Sequence, residues 1–479
     1  MTASGPTYAD FEKGDFVLKE SCSSNEAASY SEQDSRRLVW RQDVRIIPLA
    51  CVVYLLCYLD RSNIGNAKVA AEDKGHSLEK DLSISTGQYN AALMLFFVAY
   101  MIFETPSNIL LKKIGPAPWI AFITCAWGIV TMCLGAVQNF AGLAVVRFLL
   151  GAIEAGLFPG FVYYLTFWYR PEERSVRVAL ILASATLAGA FGGALGTGIT
   201  FMDDVSGIHA WRWIFILEGI PSIICSVIVW FCLPNYPETS SWLSEEEKAL
   251  AAVRLTGDNS SHGSHELTWA EAKETLTDWR LYVHYLAYIG ISAPFSSLSL
   301  FAPTIVAGLD YKGIDANLFT VPPYAVAWVF TVAVAFAADR WNRRALASGV
   351  TSLIASISFL LLAALDGDRF KARYGLLVIA TTFSFACIPP LLGWLSSNLR
   401  GTTSVTLGVP LNISAGAIGQ IVGVWIYKSN EKPAFKTGNY TNFAFLLMTS
   451  ALCGVLTVQY RRRNQEIIRN GSDQRLWVL

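Results

Sequence analysis

Twelve times along the chain an apolar run of about twenty residues recurs, and this repetition limits the fold more than any single motif. A helix crossing the roughly 30 Å hydrocarbon core of a bilayer needs about 20 mainly apolar residues, because each adds only about 1.5 Å of length. The runs lie at 46–66, 88–110, 116–137, 141–163, 176–201, 211–233, 281–305, 320–338, 345–365, 373–394, 402–427 and 441–460. They predict an all-α integral membrane protein with twelve transmembrane helices, its backbone polar groups satisfied inside each span. Composition supports this: 53% of the 479 residues are hydrophobic and only 15% are charged, against about 25% charged in soluble domains, and the mean hydropathy is +0.40.

The polar segments divide the runs into two sets of six. Residues 1–35 are Ser-rich and acidic without an apolar core, which predicts a disordered cytosolic tail and not a signal peptide. The long polar break at 234–280 separates an N-terminal half, 36–233, from a C-terminal half, 281–460, followed by a second cytosolic tail at 461–479. Within the break, Ser244 with Glu247 and Thr268 with Glu271 fit the capping box, so two short amphipathic helices are expected there. His262 and His265 sit among Ser, Gly and Asn and read as solvated, not catalytic. Arg41, Arg45, Lys112, Lys113, Arg340 and Arg461 flank alternate span ends, which predicts that both termini are cytosolic.

Several function classes are disfavoured by what the chain lacks. Lys plus Arg equals Asp plus Glu at 37 each, so no global field attracts nucleic acid. The nine cysteines show no metal-ligand pairing. No metal cluster, nucleophile elbow or phosphate loop is found at membrane depth, so neither enzyme nor cofactor nor metal is expected. Each chain contains both halves, so a monomer is expected.

Charged residues inside spans are the site candidates, because each costs about 2.5–3.5 kcal/mol to place at a span centre and therefore faces an aqueous cavity or an opposite charge. They are Asp60 and Arg61 in span one, Glu104 in two, Arg147 and Glu154 in four, and Glu218 in six. Asp60 and Arg61 lie roughly 20 Å along span one, and Arg147 roughly 9 Å from the other end of span four. These are similar heights, so Arg147 is expected to neutralise Asp60 and leave Arg61 for an anion, with Glu154 two turns deeper. The alternative for every one of them is that it only pins helices together. Glu104 and Glu218 read more readily as span-end or packing residues.

Glycines and polar residues refine this picture. Gly189, Gly192, Gly193 and Gly196 in ATLAGAFGGALGTG have the small-xxx-small spacing of a close helix contact. Asn412, Ser414 and Gln420 add polar groups to span eleven, as interhelical hydrogen bonds or as substrate contacts. Asn439 in NYT fits an N-glycosylation acceptor.

In order along the chain stand YLDRSNIGNA, RFLLGAIEAGLFPG, WRWIFILEGIPSI, LPNYPETSSWLSEEE, ANLFTVPPY and ADRWNRR. With these marks the chain, from about Arg37 to about Tyr460, resembles the major facilitator superfamily, within it the anion:cation symporter family and its fungal allantoate permease-like group. The resemblance implies two six-helix halves rocking about a site near the midplane. It implies substrate contacts at Arg61, Tyr58 and Asn412, proton coupling through Asp60 and Glu154 with Arg147 nearby, and a gating latch of Asp339, Arg340 and Arg343. The matching loop after span two reads NILLKKIGPAPW, with Lys112 where an Asp would stand, so two symmetric latches are not expected.

The implied activity is proton-coupled symport of a small organic anion, a carboxylate or vitamin-like molecule, across what is expected to be the plasma membrane. Ser292, Ser296, Trp394 and Asn398 are expected to tune its choice. Two other readings stay open: an exporter or facilitator of a secondary metabolite, and a nutrient receptor that binds without moving its ligand.

Overall fold

The computed structural model describes residues 32–71, 74–256, 273, 276–309, 314–399, 402–470 and 476–479. Residues 1–31 of the expected tail, Cys22 among them, and His262, His265, Thr268 and Glu271 in the break lie outside the described residues. Among the described residues there are helices and connections but no strand, and twelve helices are long and apolar enough to cross a membrane.

The first six are α1 (Glu32–Val69), α2 (Thr86–Ile114), α3 (Pro116–Leu134), α4 (Phe140–Leu165), α5 (Pro171–Thr200) and α6 (Ala210–Cys232). The second six are α7 (Trp279–Ala307), α8 (Val321–Arg340), α9 (Arg344–Ala364), α10 (Phe370–Asn398), α11 (Thr402–Trp425) and α12 (Lys436–Arg469). In the first set α1 packs along α5, α2 along α4 and α3 along α6. Adding six to each number gives the pairs of the second set: α7 with α11, α8 with α10, α9 with α12. The contacts between sets obey the same rule, since α2 with α11 maps onto α8 with α5. This is the packing of two repeated six-helix units facing each other.

Local signals explain the helix ends. Ser85 caps α2 through a capping box, accepting from the Gln88 backbone N–H at 3.2 Å while its own N–H donates to Gln88 Oε1 at 2.9 Å. Asn139 accepts from the Gly142 N–H at 2.9 Å to start α4. Gly115, at φ 103°, makes the turn from α2 to α3 in a conformation that a side chain would strain, and Pro116 opens α3 at the position where its missing N–H is harmless.

The apolar runs were placed well, and the differences lie where helix continues beyond apolar sequence. The first helix begins at Glu32, inside the tail expected to be unstructured up to residue 35, and well before the apolar run at 46. Its polar lead-in is held by other means: Asp43 accepts two bonds from Arg177 at 2.6 Å, and Arg41 and Arg45 lie 5.9 and 5.5 Å from the Trp242 ring. Hydropathy reports the part of a helix that meets lipid, and these contacts lie outside it.

The break between the sets contains the capped helix that was expected. Ser244 Oγ accepts from the Glu247 N–H at 3.2 Å, and Glu247 accepts from the Ser244 N–H at 3.0 Å, opening a helix at Glu245–Thr256. The stretch LPNYPETSSWLSEEE docks this helix onto the first set. Asn235 accepts from the Ala117 N–H at 2.9 Å, the Pro234 carbonyl accepts from the Tyr164 hydroxyl at 2.7 Å, and Trp242 stacks on Trp168. Arg254 pairs with Glu173; burial presses the Arg254 pKa down, and the facing carboxylate opposes that.

With twelve spans both described ends fall on one face. Toward the opposite face the two sets meet backbone to backbone. A Cβ on Gly65 would lie 2.4 Å from the Leu300 carbonyl oxygen, on Gly189 2.7 Å from the Tyr324 ring, and on Gly193 2.3 Å from Thr320 Oγ1. Gly192 and Gly196 turn to Asn66 of α1 instead, at 3.2 and 3.3 Å by the same measure. These four glycines of α5 therefore form two packing stripes, not one, and one of them draws the two sets together toward the face away from the chain ends.

Candidate functional site

Asp60 and Arg61 are neighbours in the chain, so they project about 100° apart around α1 and meet different partners. Asp60 faces α6: it is fully buried and accepts from Ser222 Oγ at 2.8 Å, while its other oxygen has no hydrogen-bond partner. Glu218 lies one turn before Ser222 on the same helix, also buried, with neither oxygen hydrogen-bonded. Arg61 faces α4, where its Nη2 and Nε donate to Glu154 Oε2 at 3.1 and 3.3 Å. Cys57 Sγ lies 3.5 Å from the same oxygen.

The sequence-based pairing is therefore corrected. Arg147 does not neutralise Asp60, and Arg61 is not left without a counter-ion. The Arg147 guanidinium lies 5.5 Å from the Phe96 ring, with Nε and Nη1 lacking hydrogen-bond partners. Arg61 lies over that same ring at 5.0 Å. Rise per residue places Cα atoms, and it ignores how far a long arginine side chain reaches toward a residue two turns away.

Two features bring Glu154 to Arg61. The α4 helix breaks just after Glu154, between Ala155 and Leu157. Gly151 and Gly156 let α2 approach so closely that a Cβ would lie 2.2 Å from the Phe96 carbonyl oxygen and 1.8 Å from Ser107 Oγ. The Arg61 guanidinium then sits 5.0 Å from the Tyr100 ring and 5.6 Å from that of Tyr58, within the range of cation–π attraction.

Arg61 lines a cavity between the two sets of helices, with Tyr54 and Tyr100 from the first and Tyr288, Ser292 and Gln420 from the second. The rest of the wall is apolar, including Phe158, Leu182, Phe295 and Ile413. About 30 Å³ is open to the centres of water-sized molecules, room for no more than a few waters. An organic molecule enters only after the two sets separate. Hydrogen bonds that cross between the sets include Tyr58 Oη to Ser299 Oγ at 2.6 Å and Ser414 Oγ to Glu104 at 2.7 Å. Glu104, read as a packing residue from sequence, is thus one end of a contact that must break when the sets move apart.

Other expected site residues are placed unevenly. Asn412 is buried with its Oδ1 lacking a hydrogen-bond partner, and its neighbour Ile413 forms the wall. Ser296 donates to the Gln420 carbonyl at 3.1 Å. Trp394 and Asn398 are not at the cavity: they hold the chain's last residues, donating to the Val478 carbonyl at 2.8 and 3.1 Å. Asn439 is 4% exposed, and its amide nitrogen donates to the Ala434 carbonyl at 3.0 Å, so it is closed to glycosylation in this conformation. The tyrosines of the wall went unnoticed in the sequence, because a Tyr in an apolar span reads as core.

The gating motif is also rearranged. Asp339 pairs with Arg344 at 2.6 Å, one residue beyond the expected Arg343, and Arg344 reaches on to Ser397 and the Gly393 carbonyl of α10. The side chains of Arg340 and Arg343 are exposed. Removing one partner of a buried pair costs about 3–5 kcal/mol, whereas an exposed arginine contributes little. Arg344→Ala is expected to lower the melting temperature by several degrees and Arg343→Ala to leave it unchanged; equal thermal shifts would contradict the assignment.

The helix count, the repeated packing and a cavity lined by a buried arginine between two six-helix sets define the architecture of a membrane transporter. The Major Facilitator Superfamily profile matches residues 50–424. The chain is 52% identical over 442 residues to the MFS transporter prlL of Fungal sp. (strain NRRL 50135), covering 92% of this chain and 89% of that one. It is 34% identical to the MFS-type transporter cnsO of Penicillium expansum, over 92% and 86% of the two chains. Among solved structures, the xylose transporter XylE from E. coli, in a partially occluded inward open conformation, superposes with a TM-score of 0.63 at 13% identity, covering 85% of this chain and 96% of that one. The chain belongs to the Major Facilitator Superfamily. It is a multi-pass integral membrane transporter and not an enzyme.

Proposed function

We propose that this transporter moves a small organic anion together with a proton, and that it belongs with the anion:cation symporters of the allantoate permease-like group. The observation that carries this reading is the pair that Arg61, in the cavity wall, makes with Glu154 behind it, 3.1 Å apart, with the Glu154 side chain wholly buried. A proton on Glu154 would release the guanidinium, and a substrate carboxylate would take its place as a charge-assisted partner. Proton and anion then depend on each other, because neither the bare arginine nor the bare glutamate is cheap in an apolar core. The buried Asp60 is proposed as a second proton-accepting group, with Arg147 biasing the field around both acids.

The apolar and aromatic remainder of the wall favours a carboxylate with a hydrophobic body over a small hydrophilic acid. It also supports a second reading, export of an amphiphilic metabolite through the same site. Asp339 and Arg344 are proposed as the gate, and Asn412 as a substrate contact once the sets have separated. The face bearing both ends carries Arg41, Lys112, Lys113, Arg170 and Arg340, which supports a cytosolic assignment for it in the plasma membrane. With both halves in one chain, the monomer is proposed as the working unit.

The test is uptake of a carboxylate panel into proteoliposomes with an inwardly directed proton gradient. At least one aromatic or branched carboxylate is expected to accumulate, and collapsing the gradient with a protonophore to abolish accumulation. Accumulation that persists without the gradient would overturn proton coupling.

A further inference from the structure

On the face away from the chain ends, the loop after α1 meets the loop between α5 and α6. His76 from the first and Asp203, Asp204 and His209 from the second each offer a ligand atom, and these atoms all lie within 4.8 Å of one another. His76 Nδ1 is 3.1 Å from Asp203 Oδ2 and 3.7 Å from Asp204 Oδ2, and His209 Nδ1 is 3.3 Å from Asp204 Oδ1. Asp204 adopts a left-handed backbone, φ 65°, which turns consecutive carboxylates toward one point.

The hydrogen bonding of this cluster is incomplete. A neutral imidazole has one N–H, yet His209 lies between two carboxylates, Asp204 at Nδ1 and Asp81 at Nε2, the latter 3.6 Å away. Whichever nitrogen carries the proton, the other turns a lone pair toward carboxylate oxygen. His209 Nδ1 is buried and makes no hydrogen bond of acceptable geometry. The two imidazoles lie 4.3 Å apart between centroids, so charging both sets like charges against each other. Lys74, 3.3 Å from Asp203, is the cation seen at the edge of the group, and its side chain is 55% exposed.

We propose that His76, Asp203, Asp204 and His209 bind a divalent transition-metal ion of the zinc type. Metal–ligand bonds of about 2.0–2.2 Å in a tetrahedron put ligand atoms about 3.3–3.6 Å apart, and the three short distances above bracket that spacing. Two imidazoles with two carboxylates suit zinc or cobalt better than calcium or magnesium, which favour all-oxygen ligand sets. An outer layer of contacts is in place as well. Asp81 faces His209 Nε2 and is held by Arg212 at 2.9 Å and by Trp211 Nε1 at 3.1 Å, an arrangement that orients a ligating histidine. The Ala210 backbone N–H fixes Asp203 Oδ1 at 3.0 Å. The ion would clasp the outer end of α1 to the α5–α6 connection, within the first six-helix set and apart from the transport cavity.

The experiment uses the full-length protein, purified without a polyhistidine tag and stripped with chelator. Cobalt(II) is expected to give the visible absorption of a tetrahedral site at one equivalent, zinc to displace it and to raise the melting temperature, and magnesium to do neither. His76→Ala with His209→Ala is expected to remove the cobalt band and the zinc-dependent thermal increment, and Asp81→Asn to weaken zinc binding about 10- to 100-fold. Each variant is compared with itself with and without metal, so a general loss of stability leaves the increment readable. No cobalt band in the unaltered protein, or an undiminished zinc increment in the double histidine variant, would overturn the proposal.

Discussion

Arg61→Ala is expected to lower anion transport to background, at least about 100-fold, while the protein still reaches the membrane. Charge-assisted hydrogen bonds contribute about 1.5–3 kcal/mol each, and the guanidinium offers the substrate two donors, so about two decades is the minimum loss. The single variant also leaves Glu154 buried without its partner, at 0% side-chain exposure, which costs about 3–5 kcal/mol of stability. For that reason Arg61→Ala/Glu154→Gln is the sharper test. It removes both charges, so its melting temperature is expected to recover toward that of the unaltered protein while transport remains lost. Recovery of both would assign Arg61 a purely structural role. Arg61→Lys keeps the charge but not the planar fork, and is expected to transport with a raised KM. The measurements are radiolabelled uptake in proteoliposomes and thermal shift on the same preparations.

How legible these features were in the sequence depends on which physical quantity each one follows. Span positions follow apolar length, which is local, so every run recurs as a helix. The polar start of α1 follows contacts to Arg177 and Trp242, 134 and about 200 residues away in the chain, and no window of sequence contains them. The intramembrane charges were legible as a set, because the penalty for burying each is local, but their pairing was not. Arg61 prefers Glu154 to an open position because α2 and α4 close up at Gly151 and Gly156, a contact between helices whose rotation hydropathy does not encode. The cavity wall was read least well: Tyr54, Tyr100 and Tyr288 have the same local pattern as packing residues, and only the packing of the two sets turns them inward. His76 and His209 were hidden for the same reason, since 127 residues separate His76 from Asp203.

Glu154→Gln is expected to abolish accumulation driven by a proton gradient while counterflow exchange of the same substrate continues within about tenfold of the unaltered rate. Glutamine keeps the size and one acceptor oxygen for Arg61, so the cavity wall is preserved, but it cannot gain or lose a proton in this range. Exchange needs only that the loaded carrier reorient, and a neutral residue at this position mimics the protonated, substrate-ready form throughout the cycle. Net accumulation needs the empty carrier to return with Arg61 compensated, and in the variant that compensation no longer depends on pH. Asp60 is the rival candidate, but it accepts from Ser222 of α6 whereas Glu154 holds the cavity-lining Arg61, so an anion arriving at Arg61 displaces Glu154 and not Asp60. Asp60→Asn is therefore expected to shift the pH profile or lower the rate while leaving some concentrative uptake. A Glu154→Gln carrier that still concentrates substrate, beside an Asp60→Asn carrier that does not, would move the coupling proton from α4 to α1.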